Sequence, residues 1–196
     1  MAAIASNKSS SMSTKEHMQS ITLHGVFLEV LGLGVLLTGT SGVGKSELAL
    51  VLITRGHKLI ADDSVDFIWR PDGTVLGYCH PILQDFLEVR GLGPLNVRAM
   101  FGDAAIKANQ SLNLIVNIRQ LTDEELINMD RVHGMHMERE IVTLKIPEVT
   151  IPVSPGRNLA ILVEGAVRNQ LLRLAGYNAS EELCNRQQTY MNETFT

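Results

Sequence analysis

"GVLLTGTSGVGKSELAL", from Gly34 to Leu50, decides how this chain folds. It opens as an apolar run, passes through a glycine-rich turn, and ends in apolar residues at helical spacing. Gly39-Thr40-Ser41-Gly42-Val43-Gly44-Lys45-Ser46 fits the pattern G-x-x-x-x-G-K-[ST] throughout. The glycines let backbone amides turn inward around phosphate oxygens. Lys45 brings a positive charge to the β- and γ-phosphates, Ser46 offers a hydroxyl to Mg²⁺, and the helix N-terminus adds its dipole. The bland alternative is a chance glycine turn before a helix, and it is disfavoured by the strand on one side and the helix on the other. The motif names a ligand class, a Mg-nucleotide, and leaves the acceptor open.

Downstream, "KSELALVLITR" puts Leu48, Val51 and Leu52 on one face, with Gly56 placed to end the helix in a left-handed cap. "HKLIA" reads as a short buried strand, completing a βαβ unit with a right-handed crossover. That strand ends at Asp62-Asp63, where an open α/β sheet places its ligands. Adjacent acids at a strand end are commonly a solvated turn or a helix cap. One βαβ unit after a phosphate loop, one of them can instead hold Mg²⁺ through water while the other accepts a proton from an attacking hydroxyl. A calcium-loop reading of "DDSVDF" fails because Phe67 stands where glycine is required.

"GVFLEVL" and "GVLLTG" read as two short strands, and "VDFIW" and "GTVLGYC" as a hairpin through "PDG". "SLNLIVNI" is a further strand. Thr122 and Glu125 form a capping box, and "IVTLKIPEVTIPVSPGR" is extended. "NLAILVEGAVRNQLLRLAG" is helical with Gly176 as its stop, and a last amphipathic helix is expected over about 179–190. "EVRGLGPLNVRAMFG" is not a dinucleotide fingerprint, since Asn96 stands where its third glycine should. Periodicity alone reads it equally as a tight loop leading to a strand, or as a site. In the second reading Glu88 adds a metal-facing carboxylate and Arg90 or Arg98 meets phosphate. His24 and Arg131 default to exposed or structural roles, and Arg157 stands just before a helix N-terminus, an anion-binding position.

The 196 residues suit one domain. The expected division is a disordered N-terminus, or the remnant of a longer or engineered one, over 1–20. A catalytic domain follows over 21–190, then a tail over 191–196. With 45% hydrophobic and 19% charged residues the composition is globular, and the net charge of −4 argues against nucleic acid as a partner. Within 21–38, His24, Glu29 and three glycines break what would otherwise resemble a membrane span, so no membrane is expected. Two distant cysteines, Cys79 and Cys184, suit reduced thiols in the cytoplasm. From the residues alone, the chain is a Mg-nucleotide phosphoryl-transfer enzyme with an unidentified acceptor. A small-molecule kinase on the same chassis and a nucleotide-sensing binding module are its rivals.

"HGVFLEVLGLGVLLTGTSGVGKSELAL", "RGHKLIADD", "LEVRGLGPLNVRAMFG" and "IPVSPGRN" together resemble the catalytic domain of bacterial HPr kinase/phosphorylase, from about Ile21 to the mid-180s. The family's usual N-terminal domain is not seen, through truncation or because the chain is naturally short. The resemblance implies an α/β fold with a P-loop nucleotide-binding core related to phosphoenolpyruvate carboxykinase, a mixed sheet and flanking helices. It implies phosphorylation of a regulatory serine on the phosphocarrier HPr with Mg-ATP or pyrophosphate, reversed by phosphorolysis, in a cytoplasmic homohexamer. By motif, Asp63 matches the general base. His24, Lys45 and Arg131 match catalytic positions, and Ser46, Glu88 and Asp62 face Mg²⁺. Pro152-Val153-Ser154-Pro155-Gly156-Arg157 matches a loop tied to dephosphorylation, with Ser154 where many members carry arginine.

Overall fold

The computed structural model describes residues 20–194. In chain order the elements are β1 (Ser20–His24), β2 (Val26–Val30), β3 (Leu33–Gly39), α1 (Lys45–Thr54), β4 (Lys58–Ala61), β5 (Ser64–Trp69), β6 (Val75–Cys79), β7 (Phe86–Val89), β8 (Gly93–Asn96), α2 (Val97–Phe101), β9 (Asn109–Arg119), α3 (Asp123–Ile127), β10 (His136–Ile141), β11 (Leu144–Pro152), α4 (Leu159–Leu174) and α5 (Ala179–Thr194). Nine strands form one mixed sheet with the path β1-β5-β6-β9-β3-β2-β4, and the β10–β11 hairpin joins it through β11 and β9. Strand β9 runs parallel to both β3 and β11 and antiparallel to β6. The fold is therefore mixed α/β with flanking helices.

Strand side chains alternate between faces, and that alternation sorts the core into two clusters. Val26, Leu28, Val35 and Leu37 pack with Leu48 and Leu52 of α1 and Val163 and Val167 of α4. Phe27, Leu36, Val65 and Phe67 point the other way, with Ile141 and Ile146. The register shifts between Gly34 and Val35, whose partners are Leu112 and Leu114. The skipped Asn113 takes the Gly34 N–H on its Oδ1 at 2.9 Å. This bulge explains why Leu112 and Leu114, two residues apart, lie in opposite clusters. In the second cluster Phe27 and Phe67 meet edge-to-face at 5.3 Å. A Cβ at Gly77 would lie 2.5 Å from both rings, so only glycine fits beneath them.

Several expectations hold. The "PDG" hairpin, the Thr122–Glu125 capping box and the left-handed glycines at 56 and 176 are all present. The βαβ unit is present as well, with β3 and β4 parallel and β2 inserted between them, antiparallel to both. Others need correction. Val51, expected on the buried face of α1, is 45% exposed while Leu48 and Leu52 are buried. His24 ends β1, which pairs with β5, and lies two residues before β2. The last helix continues through Thr194, past its expected end at 190. The expected disorder over the first nineteen residues lies outside the described residues. No helix among the described residues is long and apolar enough to cross a membrane.

The end of α1 is fastened to α4 by charge. Glu164 accepts from Arg55 Nε and Nη2, both at 2.7 Å, and lies 2.9 Å from Nε2 of the buried His57. The Arg55 guanidinium, with His57 beside it, holds the Glu164 carboxyl down at about 2. A depressed carboxyl stabilises the fold above its ordinary value near 4.5 and loses that contribution as pH falls towards 2. Glu164→Gln is therefore expected to cost about 1–3 kcal/mol at pH 7. In thermal melts this lowers the midpoint by about 2–4 °C per kcal/mol, and the gap to wild type narrows below pH 4.5. A constant gap down to pH 2.5 contradicts this account.

Candidate active site

The glycine-rich loop joins the carboxyl end of β3 to α1. Gly39 lies so close to β9 that a Cβ would sit 2.2 Å from the Ile118 carbonyl oxygen. Gly44 is the N-cap of α1 with φ +99°, and no side chain caps the helix, so its first amides face the loop. Lys45 is buried, and its Nζ donates to the carbonyls of Gly39 and Thr40 at 3.1 and 3.2 Å. The ammonium is thereby pinned inside the turn its own helix begins.

Facing this loop are the acids after β4. Asp62 is buried, and its Oδ2 accepts the Glu88 N–H at 2.8 Å. Burial pushes its carboxyl up, the Asp63 and Glu88 charges push the same way, and the Glu88 and Asp63 amides partly offset both. Asp63 adopts φ +64°, a left-handed conformation that aspartate tolerates better than most residues. Its carbonyl accepts the Gly25 N–H, and its Oδ1 lies 3.0 Å from His24 Nδ1. Both side chains stay open to solvent, 71% and 59% exposed.

The "EVRGLGPLNVRAMFG" cluster resolves into the β7–β8 hairpin followed by α2, rather than a loop before a single strand. Glu88 of β7 and Arg90 in its turn face the glycine loop. A Cβ at Gly42 would lie 3.0 Å from an Arg90 guanidinium nitrogen. Arg98, the other candidate, is taken up by Asp85 at 2.6 Å and by Asp103. These two carboxylates hold its guanidinium well above its ordinary pKa, and it stands apart from the loop.

Together these groups line one cavity of about 350 Å³: His24, Ser41, Gly42, Gly44, Lys45, Ser46, Asp62, Asp63, Glu88 and Arg90 among them. Glu47 and the backbone of Gly25, Val89, Gly91 and Gly93 complete the wall, and spacing alone did not single these out. Two expected groups are not brought in. Arg131 sits exposed in the turn after α3, where Asp130 accepts the Val132 and His133 amides and Ser180 Oγ donates to the Val132 carbonyl. The Pro152–Arg157 loop lies on the α4 side of α1, where Gly156 and Arg157 border a separate groove. Ser46, Asp62 and Glu88 offer only oxygen donors. Among the described residues no three His, Cys, Asp or Glu gather into a metal cluster. That donor set fits Mg²⁺, which uses one or two carboxylates and completes its shell with water and phosphate oxygens.

The chain matches the HPr Serine kinase C-terminal domain family over residues 15–187. It belongs to that family. A protein named HPr kinase/phosphorylase from Neisseria meningitidis (strain FAM18) is 49% identical over 170 residues, 87% of this chain and 53% of the relative. One of the same name from Nitrosomonas europaea is 47% identical over 172 residues, 88% of this chain and 53% of the relative. The chain thus spans about half the length of these relatives. The solved Hpr(Ser) kinase/phosphatase from Coxiella burnetii superposes with a TM-score of 0.73 at 32% identity, covering 83% of this chain and 98% of that one. The mixed α/β architecture of this HPr serine kinase C-terminal domain is therefore shared with a solved relative.

Gly39→Ala tests the close approach at the base of the loop. A Cβ there meets backbone that cannot swing aside, so a loss of about 1–3 kcal/mol in urea unfolding is expected. Gly44→Ala meets no such obstacle but strains φ, and a smaller loss is expected. Equal losses at the two positions contradict the account.

Proposed function

We propose that the chain is the catalytic domain of a serine kinase/phosphorylase acting on HPr or an HPr-like phosphocarrier, with Mg-ATP or pyrophosphate as donor. The observation that carries this reading is the His24–Asp63 pair standing across one cavity from Lys45 and Ser46. A phosphate cradle and a solvent-open carboxylate in one cavity suit transfer to a group that arrives from outside, such as a serine on a protein surface. Family membership supports the same acceptor. The glycine loop is read as a P-loop, and the nucleotide core as related to that of phosphoenolpyruvate carboxykinase. The catalytic unit is assigned to residues 21–190, extended by the end of α5, and the assembly to a cytoplasmic homohexamer.

Phosphoryl transfer depends mainly on alignment and charge neutralisation. In this reading the amides of Gly39 through Ser46 cradle the donor phosphates, and Lys45 balances their charge. Ser46 and Glu88, with Asp62 behind them, hold Mg²⁺, which when bound offsets charge on the transferring group. Asp63 accepts the proton of the serine hydroxyl at its carboxylate and returns it in the reverse direction, and His24 orients that carboxylate. Arg90, lying against Gly42, adds a second cation at the phosphates. Arg131 lies outside its own cavity, so the role its motif implies requires another conformation or a neighbouring copy.

Phosphopeptide mapping of HPr after incubation with Mg-ATP, followed by addition of phosphate, tests the activity in both directions. Asp63→Asn is expected to keep Mg-ATP binding while transfer falls about 10²–10⁴-fold. Wild-type rates from that variant remove Asp63 from the reaction. For the reverse direction, Ser154→Arg tests the role its motif implies, a charge-assisted contact to phosphate or phosphoserine that, with this loop outside the cavity, requires another conformation or a neighbouring copy. Phosphate-dependent dephosphorylation is expected to rise by about tenfold or more, with the forward rate little changed. An unchanged reverse rate rules out a phosphate contact at that position.

A further inference from the structure

A cavity of about 390 Å³ lies between the β10–β11 hairpin and the last turns of α4, and it shares no wall residue with the catalytic cavity. Its helix wall is Gln170, Arg173 and Leu174, three and four residues apart on one stripe of α4. Upstream, the buried stripe of the same helix runs through Ala160, Val163 and Val167, which pack in the first core cluster. Its next member is Gln170, only 9% exposed, whose amide has no hydrogen-bond partner among the described residues. Burying an amide without a partner costs stability that an apolar side chain would not. Arg173 repeats the pattern: its Nε is buried without a hydrogen bond, and no carboxylate among the described residues pairs with it.

The hairpin supplies the opposite wall. Glu138 pairs across from Pro147 and His136 across from Val149, which sets His136, Glu138 and Pro147 on one face. Partial burial, and then the charge of Arg173, push the His136 imidazole below its ordinary 6.5, so it is uncharged at neutral pH. Glu138 is exposed and engaged by Lys145 at 3.4 Å. Arg173 is then the one unpaired charge on the wall, and Met137, Pro147 and Leu174 supply apolar surface.

We infer that this cavity binds a small organic monocarboxylate, its oxygens on the Arg173 guanidinium and the Gln170 amide and its hydrocarbon against Met137, Pro147 and Leu174. A guanidinium holds a carboxylate through two parallel N–H···O bonds, and a carboxamide adds a further donor. Both orphaned donors are satisfied at once by such a ligand. A single net positive charge suits a monoanion, and Glu138 on the same wall repels a more highly charged one. The space is near the lower end of the roughly 300–1,000 Å³ usual for small-ligand sites, and it has their mix of apolar wall and few polar groups.

Thermal melts of the whole chain with isovalerate, and with the neutral isovaleramide as its control, test this in wild type, Gln170→Leu and Arg173→Gln. In wild type, isovalerate at about ten times its Kd is expected to raise the midpoint by about 3–5 °C, with no rise from the amide. Each variant is expected to weaken isovalerate about tenfold or more. Without ligand, Gln170→Leu is expected to melt at or above wild type, because leucine continues the apolar stripe and no bond is lost. A wild-type shift no larger with isovalerate than with isovaleramide overturns the inference, and so does an unchanged isovalerate shift in either variant. A lower unliganded midpoint for Gln170→Leu shows that the amide serves the fold and overturns it as well. Should Arg173→Gln fail to fold, Gln170→Leu decides alone.

Discussion

The hydrogen bond from the Glu88 amide to the Asp62 carboxylate is the constraint on which the site depends. The β7–β8 hairpin belongs to a separate two-stranded sheet, and such a pair is marginal by itself in water. Leu87, Val89 and Val97 anchor it in the core beneath α1, which fixes its depth. The bond to Asp62 ties its first strand to the end of β4. With Glu88 held there, the following turn brings Arg90 against Gly42. A buried carboxylate is costly to hold charged, and here burial and two neighbouring acids all push its pKa up. The Mg²⁺ proposed to lie among Ser46, Asp62 and Glu88 would offset that cost, and would then tie the hairpin's position to the bound ion.

The glycine loop was legible in the sequence because it is local. Eight consecutive residues carry their own conformational requirements, and positive φ at Gly39, Gly42 and Gly44 follows from them. The capping box of α3 and the hairpin through "PDG" were legible for the same reason. What spacing could not reach was long-range pairing. A βαβ pattern says that β3 and β4 are parallel, and it is silent on whether another strand lies between them. Here β2 does, pairing antiparallel with both. The choice between Arg90 and Arg98 was equally hidden. It turns on Asp85 and Asp103, which close around Arg98 and leave Arg90 to face the loop. Arg131 was placed by motif, and its position depends on a turn fastened by Asp130 and docked on α5 through Ser180, neither of which any motif encodes.

The two spaces around the first turn of α1 differ for a topological reason. Toward β4 and the β7–β8 hairpin the loop faces strand ends and turns, where exposed backbone favours acids and glycines. Toward α4 it faces a helix packed on α1, where apolar residues pay for the contact. Arg55 and His57, just past the end of α1, hold Glu164 in the first half of α4. Beside the groove, Asn158 accepts the Ile161 amide and starts α4.

The conformation of Asp63 explains how two adjacent acids serve one cavity. In a regular strand, consecutive side chains point to opposite faces, so continuing β4 through both acids would bury one and turn the other away. The chain instead leaves the strand after Ala61, with the Ser64 amide bonded to the Asp62 carbonyl and φ at +64° on Asp63. That turn brings the Asp63 carboxylate back beside Asp62, and both line the same space. A left-handed residue other than glycine costs on the order of 1–2 kcal/mol, less for aspartate. Glycine would remove that cost and the carboxylate with it. The bonds from the Gly25 amide and the contact with His24 hold the strained residue from the neighbouring strand end. The β1–β5 pairing is thus more than an edge of the sheet: it brings His24 opposite Ser64, one residue from the acid whose Oδ1 lies 3.0 Å from its Nδ1.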